Sequence, residues 1–196
     1  MTPITNLSVT ARTGLEILAA AYLLGSIPFG RLLQRARDTS VAARAATVLL
    51  DGAKGYAAVC LAARFAPGNI HWMTYAALAV ITGDMFSIWL GFRGGNGVAT
   101  AAGAFCVLCW QAVALDLGLW IVVVWFWGYA SLGSLAAAAA LPMLLYLLYA
   151  PGHAPPSALS ASALLVTALV VLKHRPNIER MLAGTEPRFS LRRPKP

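Results

Sequence analysis

The chain has 196 residues, 59% of them hydrophobic and 11% charged, with a mean hydropathy of +0.70. Soluble domains carry about 25% charged residues, so this composition excludes a soluble globular enzyme and predicts an integral membrane protein of about six to eight spans. The net charge of +8 does not imply a nucleic-acid partner. The basic residues stand at the ends of apolar segments and in the tail, where anionic headgroups and the cytoplasmic face attract them.

Residues 1–13 are polar and predict a loose N-terminus. Leu15 to Leu33 is the first predicted span, interrupted by Gly25, Ser26 and Pro28. It lacks the basic leader and small-residue cleavage site of a signal peptide, so it reads as a retained helix. A short basic connection with Arg31, Arg35, Arg37 and Arg44 leads into a second span from Val41 to Phe65, which carries Asp51 and Lys54. Pro67-Gly68-Asn69 marks a turn, and Ile70 to Gly91 is the third span. Phe92 to Gly97 reads as a glycine hairpin.

The apolar run from Val98 to Tyr129 is too long for one crossing. Gln111 and Asp116 predict a break, with a fourth span near 98–114 and a fifth near 117–129. A turn at 128–131 precedes the sixth span, Leu132 to Ala150. Pro151 to Ser157 is a loop, Ala158 to Leu172 the seventh span, and the remainder a basic tail that includes 187–196. The fold class is thus an all-α polytopic membrane bundle of about seven transmembrane helices in a single domain. Arginine and lysine placement puts the N-terminus outside and the C-terminus in the cytoplasm. Trp89, Trp110, Trp125 and Trp127 suit the headgroup level.

Cys60, Cys106 and Cys109 all lie in apolar runs. The C-x-x-C at 106–109 reads as small apolar residues one helical turn apart, because a redox pair needs a βαβ setting that this chain lacks. No Cys/His cluster suggests a metal.

Four unusual stretches fall on the predicted cytoplasmic side: Gly25–Pro28, Gly94–Gly97, the turn at 129–133, and "KHRPNIERMLAGTE" after the last span. Successive glycines let backbone N–H groups turn toward one anion. Arg93 adds charge, and the start of a helix at Val98 adds its dipole. This suits a phosphate, although the same residues also make a tight interhelical turn with a snorkelling arginine. Asp51 and Lys54, three apart on an apolar helix, form either an ion pair satisfied by itself or part of a polar site. Asp84, alone in its span, reads as a structural hydrogen-bonding group. His174, between Lys173 and Arg175, reads in isolation as part of a basic anchor at the membrane surface.

Taken together, "YLLGSIPFG" at 22–30, "DGAKG" at 51–55, "GDMFSIWLGFRGGNGVAT" at 83–100, "GYASLGS" at 128–134 and "HRPNIERMLAGTE" at 174–186 resemble the acyl-phosphate:glycerol-3-phosphate acyltransferase (PlsY) family of bacterial membranes. The resemblance covers most of the chain. It implies a seven-helix membrane fold with a cytoplasmic-side site. It also implies transfer of a fatty acyl group from acyl-phosphate to the 1-hydroxyl of glycerol 3-phosphate, giving lysophosphatidate and inorganic phosphate. No metal or other cofactor is implied. Membrane lipids and an enzyme that supplies acyl-phosphate are the implied partners. His174 and Ser131 become the candidate catalytic residues. Ser26, Lys54, Arg93, Gly94, Gly95, Asn96, Gly97 and Asn177 become candidate substrate-binding residues, with Lys54 acting electrostatically.

The chain also departs from the family pattern. A glycine-, serine- and asparagine-rich segment is absent between the first two spans. Asp84 stands where the family usually has histidine, and Asn96 where it has lysine. These changes leave two further readings: a changed acceptor, or a non-catalytic relative that binds lipid or a partner enzyme. Arg35, Arg37 and Arg44 are candidates to replace the missing phosphate contacts.

Overall fold

The computed structural model describes residues 4–35, 40–149 and 155–189. Arg37, loop residues 151–154 and the tail from 190 lie outside these. Among the described residues the regular structure is helical: α1 (Ile4–Ser26), α2 (Phe29–Arg35), α3 (Val41–Phe65), α4 (Ile70–Met85), α5 (Val98–Trp127), α6 (Ala130–Leu148), α7 (Ser157–Lys173) and α8 (Arg175–Leu182). A 3-10 turn at Ile88–Leu90 follows α4. The expected all-α class is what the chain adopts.

Most helix limits follow from local chemistry. α1 stops at Ser26 because Pro28 disfavours helical backbone at the residue before it. α3 has the limits predicted for the second span. Asn69 caps α4 by accepting the amides of His71 and Trp72 at 3.2 and 3.4 Å, as an N-cap asparagine does. Gly68, at φ 73°, supplies the preceding turn.

Four limits differ from expectation. α4 ends at Met85 rather than Gly91, the chain then passing through the turn at Ile88–Leu90. α1 begins at Ile4, so residues 4–13 are helical rather than loose; no proline or glycine interrupts them, and Arg12 pairs with Glu16 one turn on at 3.3 Å. The break in the long apolar run lies at Cys109, whose φ of −159° and ψ of 84° are extended. The helix then continues through Gln111 and Asp116. Cys109 Sγ meets Gln111 Oε1 at 3.7 Å beside this break. Finally, the segment after α7 was expected to be a basic tail, yet it forms α8, with Pro176 in its first turn, where its missing N–H costs nothing.

Five of the helical segments are long and apolar enough to cross a membrane, and α7 with α8, bent by 53°, makes a sixth. The exterior is strongly apolar: Trp125 is 84% exposed, Phe126 74% and Leu49 72%. Such a surface suits lipid, since soluble proteins rarely expose large contiguous apolar patches.

The described residues divide into two compact units. The first comprises Met1–Pro28 and Asp51–Leu108. Its core holds Val59, Ala76, Val80, Ile81, Met85 and Phe105, all fully buried. Helices approach closely here through glycine. A Cβ on Gly25 would overlap the Val80 carbonyl oxygen of α4, and one on Gly83 would overlap the Tyr22 carbonyl oxygen of α1. Gly55 and Gly103 play the same part between α3 and α5, against Thr100 and Gly52 carbonyls. Small residues at contacts are what membrane helices use when lipid removes the hydrophobic drive to pack.

The second unit comprises Phe29–Leu50 and Cys109–Pro196. There α6 packs on α7, and Thr167 Oγ1 donates to the Ala138 carbonyl at 2.5 Å. Trp120 Nε1 donates to Ser134 Oγ at 3.3 Å.

Candidate functional site

In the first unit the polar residues gather around Lys54. Its side chain is 2% exposed. Nζ lies 2.8 Å from Asp51 Oδ1, 2.5 Å from Asp84 Oδ1 and 3.1 Å from the Ile27 carbonyl. The ammonium donates to Asp84 on α4 and to the carbonyl at the end of α1, and it forms an ion pair with Asp51 on its own helix.

Asp84 also governs the glycine loop. Its Oδ2 accepts the Gly97 amide at 3.1 Å, and its carbonyl accepts the Gly95 amide at 2.9 Å. The Gly94 amide goes to the Met85 carbonyl at 3.1 Å. The glycine amides expected to converge on a phosphate are therefore turned inward. The physical reason is that the last carbonyls of α4 need donors, and the loop supplies them. Gly97, at φ 77°, and Phe92, at φ 63°, carry the left-handed backbone that the reversal requires. Arg93 and Asn96 sit exposed on this loop.

Ser26 is fully buried, and its carbonyl accepts Ser87 Oγ at 2.5 Å. Ser26 Oγ and Thr100 Oγ1 have no hydrogen-bond partner among the described residues, an arrangement uncommon for buried hydroxyls.

In the second unit the centre is Glu186, whose side chain is 6% exposed. Its Oε1 accepts Ser131 Oγ at 2.6 Å and Asn177 Nδ2 at 2.9 Å, and its Oε2 accepts Arg180 Nε at 2.7 Å. Burial works to raise the Glu186 carboxyl, but the hydrogen bonds from Ser131, Asn177 and Arg180, with the guanidinium charge, outweigh it and hold the group below the ordinary glutamate value. His174 is 2% exposed at the joint between α7 and α8. Its Nδ1 lies 2.9 Å from the Val170 carbonyl. A carbonyl only accepts, so Nδ1 carries a proton in this contact. Phe189 completes the arrangement: its amide donates to the Gly128 carbonyl at 2.6 Å, and its ring meets Trp120 edge-on at 5.9 Å.

The residues 36–184 match the sequence profile of a family described as glycerol-3-phosphate acyltransferase. The chain belongs to this family. The glycerol-3-phosphate acyltransferase of Mesorhizobium japonicum is 39% identical to this family member over 189 residues, spanning 86% of this chain and 92% of its own. That of Gluconobacter oxydans is 38% identical over 193 residues, spanning 87% and 90%. A crystal structure of PlsY, an integral membrane glycerol 3-phosphate acyltransferase in its glycerol 3-phosphate form, superposes with a TM-score of 0.80 at 28% identity, over 90% of this chain and 96% of that one. The lysophosphatidic acid form gives 0.78. This acyltransferase-family chain is accordingly a multi-pass integral membrane protein.

The structure brings Ser131 and Asn177 together on one carboxylate and gathers Gly95 and Gly97 on Asp84. It leaves Arg93 and Asn96 exposed. Sequence reading assigned no role to Glu186 or Arg180, although both lie in "HRPNIERMLAGTE". It also missed α8, for which the signals were Pro176 just after the last span and the Arg175–Glu179 spacing, now an ion pair at 3.0 Å.

Proposed function

We propose that this chain transfers a fatty acyl group from acyl-phosphate to the 1-hydroxyl of glycerol 3-phosphate in the bacterial inner membrane, with its N-terminus outside and its C-terminus in the cytoplasm. The whole sequence acts as one domain. The substrate oxygen attacks the acyl carbonyl carbon, a new ester C–O bond forms, the bond to phosphate breaks, and inorganic phosphate leaves. The products are lysophosphatidate and phosphate. An acyl-phosphate is already activated, so the protein mainly positions the hydroxyl and stabilises developing charge. The reaction supplying acyl-phosphate belongs to a separate enzyme.

The observation that carries this reading is the Ser131–Glu186–Asn177 arrangement beside α7 and α8, in a chain whose relatives carry that name along most of their length. His174, buried at the joint of α7 and α8 with Nδ1 held on the Val170 carbonyl, is the candidate base that takes the hydroxyl proton. Asn177 keeps a second amide hydrogen for a substrate oxygen, and Ser131, whose proton goes to Glu186, offers its oxygen as an acceptor. In the loop, Arg93 and Asn96 are the side chains exposed to meet a phosphate, and Gly94, Gly95 and Gly97 shape the backbone that presents them. Ser26 offers a buried hydroxyl. Lys54 acts through charge and position, its ammonium being engaged inside the protein.

The test is phosphate release by purified protein in lipid, supplied with palmitoyl-phosphate and glycerol 3-phosphate. Release that needs both substrates and falls at least about 100-fold in His174→Ala, as loss of a general base does, supports the reading. No release from folded protein, beside an active family member as control, removes it.

A further inference from the structure

The geometry points to Asp84 as a positioning residue that holds the glycine loop in its working shape. Two bonds of the carboxylate carry the assignment, a backbone bond of the same residue lies beside them, and all are within one compact unit. The carboxylate accepts Gly97 N–H at 3.1 Å through one oxygen and Lys54 Nζ at 2.5 Å through the other, while the carbonyl of the same residue accepts Gly95 N–H at 2.9 Å. Asp84 is 9% exposed, so water competes little for these bonds. The two amides stand on either side of Asn96, so one residue grips the loop before and after its exposed tip.

Through Lys54 the grip reaches further. The ammonium is bound to Asp51 on α3 and to the Ile27 carbonyl at the end of α1. Loop, α4, α3 and the end of α1 are thereby tied to one ion-paired group. Gly97 has φ 77°, one of several shapes open to glycine, so its bond to the carboxylate helps select this one. A carboxylate also accepts at both oxygens at once, which a neutral group holding a proton on one side does not. Aspartate at 84 is thus a working part of this chain's loop rather than a defect in it.

Hydrogen exchange on the wild-type protein in detergent or lipid, without substrate, is the primary test. The amides of Gly95 and Gly97 should be protected although they lie in a loop. Exchange as fast as in an open loop overturns the assignment. Asp84→Ala leaves Lys54 its ion pair with Asp51, so the ammonium is not stranded. The substitution should raise exchange at Gly97 about ten-fold or more, as expected for loss of a charge-assisted hydrogen bond, and less at Gly95, whose acceptor is the backbone carbonyl that the variant keeps. Asp84→Asn keeps an acceptor for Gly97 and should recover part of that protection. Wild-type exchange in the alanine variant, or no recovery in a folded asparagine variant, overturns it.

The link to turnover rests on the acyltransferase reading. With each phosphate substrate varied in turn, Asp84→Ala should raise the KM of the one the loop holds about ten-fold, with kcat changed less. Faster exchange with both KM values unchanged overturns that link. Absence of turnover in the wild type removes the functional reading and leaves the exchange result standing.

Discussion

The Ser131 hydroxyl donates to Glu186 Oε1 at 2.6 Å across 55 residues of sequence, and Asn177 donates to the same oxygen at 2.9 Å. The carboxylate therefore sets where two candidate site residues point. Glu186→Ala leaves Ser131, Asn177 and Arg180 without their common acceptor. Hydrogen bonds to charged groups contribute about 1.5–3 kcal/mol each, so activity should fall at least about ten-fold. Ser131→Ala removes one donor only and should destabilise the protein less than Glu186→Ala. Steady-state kinetics and thermal unfolding of both variants check this.

The depressed Glu186 value also gives a pH dependence. A carboxyl held below its ordinary value contributes stability that is complete above that value, 4.5, and is lost as pH falls through the lower folded value. Wild type should therefore be more stable than Glu186→Gln at pH 6–7, and the gap should close on acidification below about 4.5. Thermal unfolding of the two proteins across pH 3–7 reads this directly. A gap that widens toward low pH contradicts the sign.

Lys54 offers a second test. Its removal in Lys54→Met leaves buried Asp84 and half-buried Asp51 near each other without a cation. Breaking a buried ion pair from one side costs about 3–5 kcal/mol, so the midpoint of unfolding should drop markedly. Asp51→Asn in the same background relieves the repulsion and should restore part of the loss. The double-mutant cycle gives the coupling.

The helix contacts predict a contrast among glycines. Gly83→Ala drives a Cβ into the Tyr22 carbonyl, whereas a Cβ on Gly118 has open space around it. Overpacking costs about 1–3 kcal/mol, while alanine for glycine inside a helix gains about 0.5–1 kcal/mol. Gly83→Ala should lower the unfolding temperature and Gly118→Ala should leave it equal or higher.

What the sequence determined by itself is whatever depends on neighbours along the chain. Hydropathy set the membrane class and most spans; α3 has the predicted limits, Pro28 ends the first span, and Gly68-Asn69 makes the predicted turn. The motif residues placed the chain in its family. The tertiary structure decided the rest. The position of the break at Cys109 and the identity of Lys54's partners depend on packing. Lys54 meets Asp84 from 30 residues away, and Gly97 is drawn to that carboxylate across 13. Ser131 finds Glu186 across 55. Such pairings are chosen by which polar groups are left unsatisfied when helices close on one another. A buried charge or amide must find a partner, and no period or local propensity records which one it will be.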